Sequence, residues 1–447
     1  MRIFIASLLI LSSLQLVSGQ ESSAPPQKKG EISGQWRTFF LGTYNKGDLK
    51  DFYALATGGK VGYTHSFNNH WQVGGVLYTS INTGIQDLSQ PDPVTGKVSR
   101  YEAGLFDVED LSDKLIVIPG ELFLKYAHLK HEVTLGRMKI VTPMINPQDG
   151  RMIPTLEQGL WYSFAPNKYK VQLGVFNAIA PRSTGEFFDI GTSIGKYPVG
   201  RNPDGKESRY AGNTISDFIA MANMNASPDK NIDVELSNYY VDGIFNTIYV
   251  RPTIKLGQKD TQLSMEYVRQ DRLGDGGNSR DSLRYFTDKN ANVLGAQMTF
   301  RWNAAKITIG YDHILPGGRF LFPREWGREL LFSFQKRERS EGSADNHALV
   351  LTYDQTFTIN NDKLRTVFSA GHHWKPPVTD PADNKYAQPG YTHLNFDIFY
   401  TSEKLKHLQP ELLLVYKIGQ GDFPENPNFI LNKVDMFQVN FVVNYNF

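Results

Sequence analysis

The side chains in this chain best suited to act on a solute are cations that recur on one face of alternating segments. In residues 243–256 a period of two sets Tyr249, Arg251, Thr253 and Lys255 on one side, against Ile248, Val250, Ile254 and Leu256 on the other. Residues 291–303 divide the same way. Gln297, Thr299 and Arg301 oppose Leu294, Ala296, Met298, Phe300 and Trp302, and Lys306 and Arg365 fall on the polar faces of their own segments. Guanidinium and ammonium groups fixed in a row offer charge-assisted hydrogen bonds to carboxylates, an arginine in two-point fashion. That chemistry is capture and release, without bond making. The competing reading is that a wet face must be polar in any case, and Glu266, Asp312, Asp354 and Asp397 fall on such faces too. The sequence contains no phosphate loop or HExxH motif. His372 and His373 are adjacent and so point to opposite faces of a strand, where they cannot chelate together. No catalytic residue, cofactor or metal is expected.

Faces of this kind need a wall with an apolar medium on one side and water on the other. From Phe437 to Phe447 the chain reads FQVNFVVNYNF, with Phe437, Val439, Phe441, Val443, Tyr445 and Phe447 on one face and Gln438, Asn440, Asn444 and Asn446 on the other. Alternation over that length, with aromatic ends, fits a transmembrane strand between lipid and a wet lumen. The terminal Phe447 is similar to the assembly signal of bacterial outer-membrane barrels, which implies recognition by the barrel-assembly machinery. At the other end, Arg2 precedes the apolar run Ile3 to Val17 and then Ser18-Gly19, the layout of a secretory signal peptide. The expected organisation is residues 1–19 as signal peptide, 20–33 as a short polar segment and 34–447 as a barrel. The chain has 447 residues without a cysteine, which excludes a disulfide scaffold, and a net charge of +1, which gives no field for nucleic acid. Aromatic content of 13% beside a hydrophobic content of only 40% suits an outer face ringed by aromatic belts.

Alternating segments bounded by turn residues predict eighteen strands, at 34–45, 52–67, 70–83, 120–129, 131–141, 155–165, 168–179, 213–225, 231–241, 243–256, 260–272, 291–303, 305–315, 345–358, 363–374, 391–403, 408–418 and 434–447. Short turns such as Asn68-Asn69, Pro166-Asn167, Gly257-Gln258-Lys259 and Asn360-Asn361 alternate with long polar loops. This predicts an all-β, antiparallel, up-and-down transmembrane barrel with short periplasmic turns and long extracellular loops, in the outer membrane of a Gram-negative bacterium. Its surroundings are outer-membrane lipids and lipopolysaccharide. The loop 316–344 carries Arg319, Arg324, Arg328, Lys336, Arg337 and Arg339 among aromatic residues, with Glu325, Glu329, Glu338 and Glu341 offsetting much of the charge. Folded into the mouth, it would attract anions.

One stretch carries a family resemblance. Gly136-Arg137-Met138-Lys139, then Pro143, Asp149-Gly150-Arg151-Met152-Ile153-Pro154 and Gly159 resemble, in order and spacing, the OprD-type substrate-specific porins. The resemblance implies an eighteen-stranded barrel, monomeric or loosely trimeric, with inward loops narrowing a basic pore for carboxylate-bearing solutes. Arg137, Asp149 and Arg151 then join Tyr249, Arg251, Lys255, Arg301, Lys306 and Arg365 as candidate pore residues. Two roles stay open for Arg151: it projects from a proline-stiffened constriction loop toward solute, or it pairs with Asp149 and keeps the loop folded. A bulge at Gly136 is expected to turn Arg137 inward, because alternation with Val133 and Leu135 would otherwise aim it at lipid. Two other classes stay in view, a membrane-embedded enzyme with a Ser or Asp and His set at the rim, and an adhesin working through its loops.

Overall fold

The computed structural model describes residues 30–148, 151–257 and 260–447. The signal-peptide segment, most of the polar segment after it, Asp149, and Gln258 and Lys259 lie outside the described residues. The strands are β1 Glu31–Asn45, β2 Phe52–Ser66, β3 Trp71–Asn82, β4 Leu115–His128, β5 His131–Met138, β6 Leu156–Phe164, β7 Tyr169–Ala180, β8 Phe188–Asp189, β9 Ile219–Asp229, β10 Ile232–Val241, β11 Phe245–Leu256, β12 Thr261–Arg272, β13 Asn290–Trp302, β14 Ala305–Ile314, β15 Asn346–Ile359, β16 Asp362–Trp374, β17 Gly390–Thr401, β18 Leu408–Gln420 and β19 Met436–Asn446. Each pairs antiparallel with its neighbour in the chain, and β1 pairs with β19, so the sheet closes on itself. The two-residue β8 only extends the edge of β7, leaving eighteen strands in the wall.

All eighteen predicted strands are present. The largest differences are β4, which begins at Leu115, and β9, which begins at Ile219 because residues 213–218 belong to the preceding loop. Facing follows the alternation. In β19, Phe437, Phe441 and Tyr445 are 37%, 46% and 48% exposed, whereas Gln438 and Asn440 are 0% and 1%. Ile248, Ile254, Leu294, Phe300 and Trp302 are exposed, while Tyr249 and Thr299 are buried. The outside is therefore apolar around the wall, and only hydrocarbon covers such a surface without penalty. His372 pairs across from Thr392 and His373 from Tyr391, on opposite faces as expected.

The bulge expected at Gly136 is absent. β5 keeps one register from His131 to Arg137 against β4 and from His131 to Met138 against β6. The irregularities lie instead in the flanking ladders, around Gly120 of β4 and Asn177 of β7. Gly136 sits at φ +122°, where a Cβ would come 2.2 Å from the Leu122 carbonyl oxygen. Arg137 thus stays on the outer face, across from Leu122 and Gln158. Its charge is accommodated at the outer end of a short strand. Nε donates to Gln158 Oε1 at 3.0 Å, Nη1 donates to the Pro119 carbonyl at 3.3 Å, and the guanidinium lies 4.4 Å from the Phe187 ring centre.

Because β19 must close the wall with an apolar outer face, a charge there acts on assembly itself. Phe441→Asp is expected to destabilise the closing ladder by up to roughly 2 kcal/mol, less than an arginine or lysine would at the same depth, and to weaken or abolish the heat-modifiable folded band on a gel, with Phe441→Leu as the folded control. A normal folded band for the Asp variant would contradict the assignment.

Candidate functional site in the barrel lumen

Two segments leave the wall and fold inward. Residues 139–148 and 151–155, the described part of the segment 139–155, turn in from the end of β5, and residues 315–345 turn in between β14 and β15. Their apolar residues account for this. Met144, Ile145, Phe320, Leu321, Phe322 and Trp326 pack with inward Phe245 and Tyr249 of β11 in one buried cluster inside the barrel. The segments are also tied backbone to side chain. Asn146 Nδ2 donates to the Arg328 carbonyl at 2.8 Å, the Arg328 amide returns a bond to Asn146 Oδ1 at 3.1 Å, and Gln148 Nε2 donates to the Arg324 carbonyl at 2.9 Å. At their closest approach only glycine fits, since a Cβ on Gly327 would come 2.4 Å from the Met144 carbonyl oxygen. Trp326, fully buried, donates from Nε1 to Ser193 Oγ at 2.7 Å, which docks the loop 181–218 on the same plug.

The inward acids of the wall hold the 315–345 segment in place. Glu266 Oε1 accepts from the Phe332 amide at 2.9 Å, and Asp312 Oδ2 accepts from the Ser333 amide at 2.5 Å. Lys336 Nζ lies 2.6 Å from Asp397 and 2.8 Å from Glu411. Two of the predicted pore residues belong to this anchorage. Arg251 donates to Glu266 at 2.8 Å and to the Leu330 carbonyl at 2.6 Å, and the Tyr249 hydroxyl donates to Glu266 at 3.1 Å. Lys255 pairs with Asp233 at 3.0 Å, and Asp354 takes both Lys306 at 3.5 Å and Arg365 at 2.8 Å. Arg301, across from Lys306 in the ladder, is exposed near the periplasmic turn. Arg251, Lys255, Lys306 and Arg365 are thus each tied to a wall acid, the last two to the same Asp354, and do not form a shared row facing open lumen.

A different set of cations surrounds the open space. A narrow chamber of about 250 Å³ is lined by Arg100, Arg151, Arg182, Lys196, Arg324, Arg328, Arg337 and Arg339, with Glu338 as the one acid. It shares Arg100, Arg324, Glu338 and Arg339 with a wider cavity of about 780 Å³ that opens among the long loops, where eight cationic side chains face three acidic ones. On the short-turn side of the 139–155 segment a third cavity, about 200 Å³, holds Arg37, Lys60 and Lys139. Arg37 joins the two levels by donating from Nη1 to the Arg151 carbonyl.

Within the chamber the cations are held differently. Arg324 pairs with Glu341 at 2.7 Å and lies 3.6 Å from the Tyr386 ring centre. Arg339 is 3.3 Å from Glu329 and donates to Gln148 Oε1 at 2.7 Å. Arg337 is gripped by a neutral group, donating from Nε and Nη2 to Asn440 Oδ1 at 2.9 and 2.7 Å. Arg182 lies 5.3 Å from the Tyr197 ring centre. Arg151 is buried, and its burial together with repulsion from Arg337 and Arg182 weakens its hold on the proton, with Glu102 opposing. Burial and repulsion from Arg182 push Arg337 down to about 10, so it stays charged at neutral pH. Sequence reasoning placed Arg324, Arg328, Arg337 and Arg339 in a loop able to enter the mouth. It missed Arg37, Lys60, Arg100, Arg182 and Lys196, whose only signal was a cation on a lumen face or beside a proline or aromatic residue in a long loop.

No protein-family model and no curated protein matches the sequence. Solved structures do. OccAB3 of Acinetobacter baumannii aligns over 94% of this chain and 99% of its own, with a TM-score of 0.72 at 13% identity. It has the fold of an outer-membrane channel. OpdK of Pseudomonas aeruginosa, solved with vanillate, has a TM-score of 0.70 at 13% identity over 94% of this chain and 98% of its own. OccD3 of the same organism has 0.68 at 12%, over 94% and 91%. These neighbours are the OprD/Occ channels that the 136–159 segment resembles, and the channel fold extends over almost the whole described chain.

The tight approach at Gly327 holds the two inward segments against each other. Gly327→Val is expected to push the 139–155 and 315–345 segments apart and to give a larger, noisier single-channel conductance in planar bilayers, with the folded-band assay unchanged. An unaltered trace would mean that this contact does not limit the pore.

Proposed function

We propose that the protein is a passive outer-membrane channel for small anionic solutes, those bearing a carboxylate above all. The observation that carries this reading is the charge of the narrow chamber, eight cationic side chains to one acid. In a confined space of low polarisability fixed charges act strongly on what enters, and a guanidinium offers a carboxylate two parallel hydrogen bonds. The order of cavities supports a path. A solute meets the wide cationic cavity among the loops, then the narrow chamber, then Arg37, Lys60 and Lys139 beyond Arg151. Arg337 and Arg182, held by an amide and an aromatic face, keep more of their bonding capacity for a passing anion than Arg324 or Arg339. Arg151 serves both as a wall of the chamber and, through its carbonyl, as part of the loop's support. The vanillate of the OpdK structure, an aromatic carboxylate, is the chemical class this lining favours. The channel reading is preferred to a barrel enzyme because the wall's strand number leaves room for a lumen and its inward polar groups are spent on anchoring loops. On the same reading residues 1–19 are removed on export, lipopolysaccharide surrounds the outer rim, the outer face of β19 is what the assembly machinery engages, and the barrel works as a monomer or loose trimer.

At an effective dielectric near 20, one charge acting over ~8 Å is worth about 2 kcal/mol. Arg182→Glu reverses a charge in the chamber, so the anion-to-cation permeability ratio from reversal potentials in a salt gradient is expected to fall by at least about tenfold. Unchanged selectivity would remove the chamber from the mechanism.

The wide cavity adds a dependence on pH. Burial pushes Lys375 and Lys385 down to about 8 and Lys433 down to about 7. Their oxygen contacts are the Ser343 hydroxyl, the Tyr210 hydroxyl and the Tyr386 and Ala387 carbonyls, and none of the three forms an ion pair among the described residues. A lysine with a lowered pKa is charged below it and neutral above. Glu102, raised to about 7 by burial, gains negative charge over the same range. Anion preference is therefore expected to be strongest near pH 6 and to decline toward pH 9, and Lys385→Met should flatten the profile. A reversal potential independent of pH would show that these groups do not face the permeating ion.

A further inference from the structure

On the outer face of the wall, at its extracellular edge, three potential metal ligands converge that the lumen does not use. His313 ends β14 and His347 begins β15, and the two are direct partners across the ladder. They share the outward side with exposed Ile309, Tyr311, Leu349 and Leu351. Their rings stack, with centres 3.7 Å apart and planes at 17°. Asp345, held at φ +41° just before β15, brings Oδ1 to 3.4 Å from His313 Nε2 and 3.8 Å from His347 Nε2. The three donor atoms all lie within 4.8 Å of one another. The plain alternative is a surface hydrogen bond beside a stacked ring pair.

Three features go beyond that alternative. A tetrahedral zinc-class ion, with bonds of ~2.0–2.1 Å, needs donor atoms roughly 3.3–3.4 Å apart. The His313–Asp345 edge already has that length, the His347–Asp345 edge is 3.8 Å, and all three donors lie within 4.8 Å of one another. Both imidazoles present the same nitrogen, Nε2, to one carboxylate oxygen, and turning one ring out of the stack about its χ angles aims both lone pairs at one ion. Finally, the Tyr311 hydroxyl is 2.6 Å from His347 Nδ1. When Nδ1–H donates to that oxygen, the Nε2 lone pair is left free for a metal, which is how an outer hydrogen bond orients a metal-binding histidine.

We propose that His313, His347 and Asp345 form a binding site for a zinc-class divalent cation on the outer wall, with Tyr311 as the positioning residue and the fourth coordination place open to water. Two neutral imidazoles and a carboxylate form the borderline donor set that such an ion prefers to a hard cation such as calcium. The site stands at the two feet of the inward segment, since His313 precedes residues 315–345 and Asp345 ends them. A bound ion ties those feet together.

The test uses the purified, folded barrel in detergent. Zinc is titrated calorimetrically and cobalt is followed by its tetrahedral absorption bands. The wild type is expected to bind one equivalent. His347→Ala and His313→Ala should each lower affinity at least tenfold and remove the cobalt bands, and Tyr311→Phe should weaken binding by roughly 10- to 100-fold. His70→Ala is the control, because the His70–His128 ring pair, 4.9 Å apart, lies at the opposite rim and has no part in the site. A folded-band gel accompanies every variant, and Asp345→Asn gives a near-isosteric check. Absence of stoichiometric binding by the wild type, or wild-type affinity in both histidine variants, overturns the proposal.

Discussion

A bilayer offers no hydrogen-bond partner to a backbone amide, and this constraint organises the whole molecule. Every wall strand must be paired on both sides, so the first must meet the last. β1 and β19 do so over eleven residue pairs from Gln35–Asn446 to Asn45–Met436, and Gly34 and Phe447 exchange amide-to-carbonyl bonds of 2.9 and 3.0 Å at the seam. Closure then fixes the rest by alternation. One set of side chains faces lipid, the other is committed to the interior, and a circle of eighteen strands is too wide for side chains of the wall alone to fill.

The interior is filled by the chain's own loops, and this divides the charges into two populations. Wall acids such as Glu266, Asp312 and Asp397 meet loop amides or Lys336, and wall cations such as Arg251 and Arg365 meet wall acids. These groups are largely neutralised where they stand. Arg151, Arg182 and Arg337, brought in by loops, line one narrow chamber together, while Arg324 and Arg339 beside them are paired with Glu341 and Glu329. A positive field is thus concentrated where the lumen is narrowest.

Much of the wall was legible in the sequence because period-two alternation is a local property. Phe437 through Phe447 reveals its two faces without knowledge of any partner, and so do Ile248 to Leu256. Arg137 resisted that reading, since its environment depends on Phe187 and Gln158, side chains that only the tertiary fold brings near. For the same reason the wall cations were identifiable as inward but not as paired. Asp233 and Asp354 reach their partners through ladder register, which a single strand does not disclose. His347 and Asp345 are two positions apart, but His313 joins them only across a hairpin whose loop is thirty-one residues long, residues 315–345. The chamber combines loops from four parts of the chain, and no spacing rule connects Arg100 with Arg182 or Arg337.

The seam between β1 and β19 also dictates the order in which the wall can form. Gln35 and Asn446, whose side chains are hydrogen-bonded, stand 411 positions apart in the chain, whereas the other neighbours in the wall follow one another. Loop-closure entropy grows as (3/2)RT ln n, so joining these two edges costs about 4 kcal/mol more than closing a hairpin of a few residues. Zipping from hairpin to hairpin can therefore run around almost the whole circumference while the two edge strands remain unjoined. The contact of longest range, made last, converts a sticky open ribbon into a ring without edges.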